Sequence, residues 1–202
     1  MRSLLLIIII ALTTRFLFAD AYFQQEVEYK INVTLNPDTK TYAGTEYIHY
    51  KNNSPDVLDY IWIHLYPNAY KDESTPFAKQ QNLRRSRSFH FSDKSERGYL
   101  NLESVKLNSK ILSWDYKPEA IDEVKIILPQ PLEPNQSVDL KLDFKGKFPK
   151  SFSRMSYFNQ THFAATQWYP KVVVYDKFGW HPDSYLDMGE FYGEFARFDV
   201  SI

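Results

Sequence analysis

Five histidines, His49, His64, His90, His162 and His181, have the widest chemical repertoire in this chain, and none sits in a catalytic pattern. A His-Glu-x-x-His helix would put two imidazoles on one face with a general base between them; no such run occurs. His64 shares an alternating face with Trp62 and Tyr66 and reads as a core or edge histidine. His49 faces away from Tyr50. His181 stands two residues from Asp183, a pair that could orient a proton or share a metal. No third ligand stands beside it, so a packed loop histidine is the expectation. Glu190 and Glu194 lie four residues apart. Two carboxylates can flank a glycosidic bond, but any two glutamates of one strand meet so loose a requirement. There is no Gly-x-Ser-x-Gly elbow, cysteine is absent, and the six glycines never cluster into a phosphate loop. Arg84, Arg85 and Arg87 beside Phe89 and Phe91 suggest an anion patch, but acidic residues on both sides favour a solvated connection. The chain therefore carries no complete catalytic set.

Its beginning predicts export. Arg2 precedes the apolar run Leu4 to Leu12, and Ala19-Asp20-Ala21 supplies small residues where a signal peptidase reads. Arg15 interrupts the apolar stretch well short of the roughly 20 residues a membrane span needs. Residues 1–21 are thus expected to be a signal peptide and 22–202 one domain. Cleavage would remove Arg2, Arg15 and Asp20, leaving 22 basic and 24 acidic side chains, a net of −2. That balance gives no electrostatic case for nucleic acid or for an anionic membrane surface. An exported chain with zero cysteines fits a bacterial periplasmic or cell-surface protein better than a eukaryotic secreted one. The Asn-x-Ser/Thr sequons at Asn32, Asn52, Asn135 and Asn159 then arise by chance in an Asn- and Ser-rich sequence.

The elements that must position any site are strands. Aromatic residues make up 17% of the chain and suit pleated surfaces. Val27, Tyr29, Ile31, Val33 and Leu35 alternate on one face, and after Asn36-Pro37-Asp38-Thr39 the segment Thr41 to Lys51 returns as a hairpin. Leu58 to Tyr66 is apolar enough for a strand buried on both faces. Asn68 to Arg97 reads as a polar connection with a short helix near Phe77 to Leu83. Strands resume at Tyr99–Leu107, Ile111–Tyr116, Val124–Leu128 and Ser137–Phe148, with a turn at Pro129 to Asn135. Phe163–Tyr169, Lys171–Tyr175 and Phe191–Ile202 complete the set. Short strands spaced by turn signals predict an all-β antiparallel sandwich or saddle-shaped sheet pair. The sequence stops within an alternating segment, as a fragment would.

Thr166-Gln167-Trp168-Tyr169-Pro170 brings amide, ring and hydroxyl groups together in the manner of a cleft wall. This stretch carries a resemblance. Together with Tyr22-Phe23-Gln24-Gln25-Glu26-Val27, with Ile61-Trp62-Ile63-His64-Leu65-Tyr66-Pro67-Asn68-Ala69-Tyr70, and with Gly189-Glu190-Phe191-Tyr192-Gly193-Glu194-Phe195, it resembles the N-terminal β-saddle domain of bacterial M1-family zinc metallopeptidases of the aminopeptidase N-like group. The resemblance spans nearly all of residues 22–202. It implies a domain that forms one wall of a peptide cleft beside a C-terminal zinc domain of the same polypeptide. Zinc, its ligands, the general base and the Gly-x-Met-Glu-Asn element would belong to that domain, with no cofactor in this chain. Thr166-Gln167-Trp168-Tyr169 is similar to the family's Thr-Gln-x-Glu element, so Gln167 and Tyr169 are the implied substrate-binding residues. In the family the fourth position holds the substrate's amino group with an acid; here it is Tyr169, whose hydroxyl and ring offer an ammonium a hydrogen bond and a cation–π contact without a full charge. The alternative is a stand-alone exported module that binds peptide or glycan through an aromatic face, and a remoter one is a hydrolase built on Glu190 and Glu194.

Overall fold

The computed structural model describes residues 22–202. The signal-peptide expectation for residues 1–21 lies outside the described residues. Alternation in β1 (Glu26–Asn36) buries Val27, Tyr29 and Ile31 and half-buries Val33 and Leu35. The Asn36 carboxamide oxygen accepts the Asp38 and Thr39 N–H groups at 3.1 and 3.2 Å, and Lys40 takes a left-handed φ of 57° to close the turn. β2 (Thr41–Lys51) then pairs antiparallel with β1 along its whole length, from Glu26 opposite Lys51 to Asn36 opposite Thr41.

The remaining strands follow in chain order: β3 (Leu58–His64), β4 (Tyr99–Leu107), β5 (Lys110–Ile111), β6 (Trp114–Lys117), β7 (Ala120–Leu132), β8 (Ser137–Lys147), β9 (Ser156–Tyr157), β10 (Phe163–Ala164), β11 (Lys171–Val172), β12 (Tyr175–Asp176), β13 (Gly179–Trp180) and β14 (Ala196–Ser201). One sheet has the order β14-β1-β2-β8-β4-β5 and the second the order β11-β3-β7-β6, with two-stranded ribbons β9/β10 and β12/β13. The inner faces of the two larger sheets share one core. Tyr29, Ile48, Leu140 and Leu142 come from the first, and Ile61, Ile63, Val124 and Ile126 from the second. Each such aliphatic side chain contributes about 1.5–3 kcal/mol by leaving water. The described residues thus form an all-β, mainly antiparallel domain, with a parallel pair β1/β14 and an isolated parallel bridge between Lys150 and Tyr157. The single α-helix among the described residues, α1 (Pro76–Leu83), starts where predicted: Thr75 Oγ1 accepts the Ala78 N–H at 3.2 Å and Pro76 fills the first turn.

Several boundaries differ from the sequence reading, each for a physical reason. β7 runs on through Pro129 and Pro131 to Leu132, because β6 begins only opposite Ile126 and the β3 ladder is bulged between Leu58 and Tyr60, opposite Leu132 and Ile127, so no ladder donor is asked of those prolines. Phe163–Tyr169 is strand only at Phe163–Ala164, since Gln167 adopts a left-handed φ of 53° and Pro170 follows. Lys171–Tyr175 splits between β11 and β12, and Ile111–Tyr116 between β5 and β6. Phe191 to Phe195 leaves the strand pattern because Phe191 packs against Tyr66 and Tyr185 instead. β3 buries Leu58, Ile61, Ile63 and His64 but leaves Asp59 exposed and Tyr60 and Trp62 half-buried, so only one face is fully covered.

Gly146 of β8 sits directly under the Tyr42 ring, so a Cβ there would overlap ring atoms. Gly146→Ala should therefore destabilise the domain by about 1–3 kcal/mol, read as a lower urea midpoint with an unchanged slope. An unchanged midpoint would mean that Tyr42 moves aside freely.

Candidate functional site

Two tyrosines of the β1/β2 hairpin hold the segment that contains Gln167 and Tyr169. The Tyr42 hydroxyl donates to the Trp168 carbonyl at 2.7 Å, and the Trp168 indole stands edge-on to the Tyr42 ring at 5.8 Å. The Tyr29 hydroxyl accepts the Val172 N–H at 3.0 Å. Tyr169 packs edge-on to Tyr29 at 5.4 Å and to Phe198 of β14 at 5.7 Å. Pro170 then delivers β11 to the edge of β3, with Lys171 opposite His64 and Val172 opposite Ile63.

Gln167 and Tyr169 thus share one turn but look in different directions. Tyr169 is half-buried against the hairpin, and burial, then the Glu46 charge, pushes its phenol upward. The Gln167 side-chain oxygen accepts a hydrogen bond from Lys171 Nζ at 2.9 Å. The same ammonium lies 5.1 Å from the centre of the Tyr66 ring and 5.8 Å from that of Phe191. Burial lowers the Lys171 pKa to about 8, against the opposing pull of Glu123.

Behind Lys171 the core holds further ionisable groups. His64 Nδ1 is 2.8 Å from both carboxylate oxygens of Glu123, and the Tyr66 hydroxyl is 3.3 Å from His64 Nε2. Burial pushes Glu123 up, helped by Asp122, and pushes His64 down. The pair therefore shares one proton and carries no net charge. Asp122 accepts the Tyr185 N–H at 2.7 Å through Oδ2, and its Oδ1 has no partner. On the hairpin side, Glu46 is fully buried and both its carboxylate oxygens lack partners, so burial pushes its pKa up.

Glu46, Lys171 and the His64–Glu123 pair were missed by sequence reading. One signal was available for Glu46: it falls in phase with Tyr42, Ile48 and Tyr50 on the inward face of β2. Its neighbour Tyr47 is 46% exposed on the outer face. Lys171 gave no local signal, because its contacts come from residues distant in sequence.

The other candidates scatter. His181 pairs through Nε2 with Asp176 at 2.8 Å, not with Asp183. The β12/β13 turn folds Asp176 back onto the imidazole, and Asp183 meets His181 only through a backbone bond of 2.8 Å. Asp176 also accepts the Tyr192 hydroxyl at 3.0 Å. His49 is a cross-strand partner of Asp139 at 2.7 Å, and His90 pairs with Glu73 at 2.7 Å. Arg84 bonds Asp187 at 3.1 Å, a structural tie rather than a free anion patch. Glu190 and Glu194 lie outside any strand. Glu190 lines a pocket of about 270 Å³ with Tyr66, His181, Asp183, Phe191 and Tyr192. Among the described residues no group of three or more His, Asp or Glu side chains is placed to hold a metal ion.

No protein-family profile matches the chain, and no curated protein sequence does. Solved structures similar to it include a two-domain M1 zinc metallopeptidase crystallised with L-arginine, at 15% identity and a TM-score of 0.40, over 63% of this chain and 22% of that one. An M1 zinc metallopeptidase from Deinococcus radiodurans is similar at 15% identity and a TM-score of 0.40, over 66% of this chain and 23% of that one. The chain thus spans less than a quarter of the length of these proteins.

The unpartnered Glu46 carboxyl generates a pH prediction. Its folded pKa lies above the ordinary carboxylate value of 4.5, so the folded state holds this proton where the unfolded state has released it. Its favourable contribution is present below that ordinary value and is lost as pH rises through the folded pKa. Glu46→Gln removes the titration. The variant's stability relative to wild type should grow as pH rises from about 5 to 8, by on the order of 1–3 kcal/mol. Urea unfolding across that range checks it, and parallel curves would show Glu46 to be paired in solution.

Proposed function

We propose that residues 22–202 form the non-catalytic β domain of a larger exported peptidase of the M1 metallopeptidase type, providing a wall of its peptide cleft. The observation that carries this reading is the distribution of apolar surface. Among the described residues 17 large hydrophobic side chains are exposed, and seven of them fall between Leu186 and Ile202, with Phe195 at 86% and Ile202 at 92%. Exposed apolar groups at this density along one segment suit a segment that another body of protein covers. The segment reaches the Gln167–Lys171 turn through Phe198, which packs on Tyr169. The motif resemblance of the sequence supports the same assignment, with Gln167 and Tyr169 as its substrate-binding residues.

In this reading the domain supplies shape and polar contacts while a separate zinc domain supplies the metal and the base. Gln167 would meet substrate already bonded to Lys171. The stand-alone alternative draws on one observation: an open groove of about 570 Å³ on the outer face of the first sheet, with Tyr47, Lys30 and His49 in its wall, in which a glycan could lie.

Purified residues 22–202 should neither retain stoichiometric zinc after dialysis nor hydrolyse peptide amides. The coding sequence beyond codon 202 should contain a His-Glu-x-x-His codon run. Metal content, a fluorogenic peptide assay and the genomic sequence check these points. Zinc-dependent cleavage by the isolated chain would overturn the division of labour.

A further inference from the structure

The outer face of the first sheet carries its polar side chains in rows, because directly opposed residues of paired strands stand side by side. One row runs Asp199, Lys30, Tyr47, Lys141 and Lys106 across β14, β1, β2, β8 and β4. The row beside it runs Arg197, Glu28, His49 and Asp139. The charges of this second row are matched within it: Arg197 lies 3.3 Å from Glu28, and His49 Nδ1 lies 2.7 Å from Asp139. The first row has no such balance. Lys30 forms no ion pair among the described residues, and Lys106 and Lys141 share one carboxylate, Asp143, at 3.7 and 3.9 Å. That carboxylate already accepts the Thr45 and Ser104 hydroxyls at 2.7 Å each. Tyr47 stands between Lys30 and Lys141, half-exposed, with the Lys141 ammonium 5.8 Å from its ring centre. Both rows line the open groove of about 570 Å³.

We propose that this groove binds an acidic glycan, a chain of uronic acid residues, with one sugar ring resting on Tyr47 and its carboxylate held by Lys30 and Lys141. A pyranose turns C–H bonds outward on its flat face, and their partial positive charge suits the negative face of an aromatic ring. Lys30 and Lys141 flank that ring on the two neighbouring strands, each about 4.8 Å away along the row. A carboxylate on either edge of the sugar therefore meets an ammonium. The groove also falls within the range of about 300–1,000 Å³ usual for small-ligand sites.

The acids of the groove select among anions. Glu28, Asp139 and Asp199 also line it. Ionised carboxylates accept hydrogen bonds and give none. They suit sugar hydroxyls, and they oppose a phosphodiester chain, which has no donor to offer and a charge at every link. The residues that favour a glycan thus disfavour nucleic acid. A wholly neutral glycan would leave the Lys30 ammonium unanswered, whereas a uronate supplies the missing charge and keeps the hydroxyls. The Asn108 amide at the end of the groove both donates and accepts, as a hydroxyl-rich ligand requires. This inference does not rest on the peptidase reading. Its residues belong to the outer face of the sheet, whereas the Gln167–Lys171 turn packs on Tyr29 of the inner face.

The test is titration calorimetry on the intact chain at low ionic strength. The probes are trigalacturonate, its neutral counterpart galactotriose, and oligothymidylate. Trigalacturonate is expected to bind about tenfold more tightly than galactotriose, and oligothymidylate more weakly than trigalacturonate. Tyr47→Ala should weaken trigalacturonate about fivefold, and Lys30→Gln about threefold. The absence of saturable trigalacturonate binding up to about 1 mM, equal affinity for galactotriose, tighter binding of oligothymidylate, or full affinity in both variants would overturn the proposal. The ranking of the probes on the wild-type chain decides the matter even if the Tyr47 variant fails to fold.

Discussion

Two phenol hydroxyls decide where the chemistry of this domain is presented. Tyr29 and Tyr42 project from the first hairpin into the space between the sheets, and each forms one hydrogen bond to the backbone of the segment 168–172. A single such bond is worth only about 1 kcal/mol net, but leaving a buried carbonyl or N–H unpaired costs more. The backbone of 168–172 must therefore pass where those hydroxyls are. Everything downstream follows from that placement: the left-handed turn at Gln167, the reach of Lys171 toward Tyr66, and the packing of Tyr169 under Phe198. Gly146 belongs to the same constraint, because only its bare backbone leaves room for the Tyr42 ring.

The interior between the sheets is unusually polar for a β sandwich. Glu46, Asp122, Glu123 and His64 are all fully buried. A charge isolated in such a medium would cost several kcal/mol, so the groups shed their charge by titrating or by sharing a proton. His64 and Glu123 take the second course and Glu46 the first. Lys171 stands at the margin of this region, close enough to feel the low dielectric and far enough out to touch the adjoining pocket through its ring neighbours.

Much of the architecture was written in local pattern. The period-2 alternation of β1, β4 and β8 and the short helix near Phe77 to Leu83 could be read because each depends on neighbours in sequence. The errors lie where distant contacts overrule that pattern. Pro129 looks like a terminator until the ladders on both sides are seen to spare it, β6 starting opposite Ile126 and β3 bulging between Leu58 and Tyr60. Phe191 reads as a strand residue until it packs on Tyr66. Asp183 is close to His181 in sequence, yet the turn of β12/β13 supplies Asp176 instead. Gln167 and Tyr169 came to notice through motif resemblance, whereas Lys171, the group that actually engages Gln167, had no recognisable spacing. Chemistry assembled from β3, β7, β11 and the loop at Phe191 leaves no trace in a sliding window.

The parallel pairing of β14 with β1 has a mechanical side. Val27 lies opposite Ala196 and Asn32 opposite Ser201, so both strands run the same way along the sheet edge. Tension applied between the start of β1 and the end of β14 pulls along the ladder and loads all its hydrogen bonds at once, rather than opening them one at a time from an end. Tyr29 stacks on Phe198 across this joint at 4.9 Å and adds resistance to sliding. The edge strand thus behaves as a lap joint under shear.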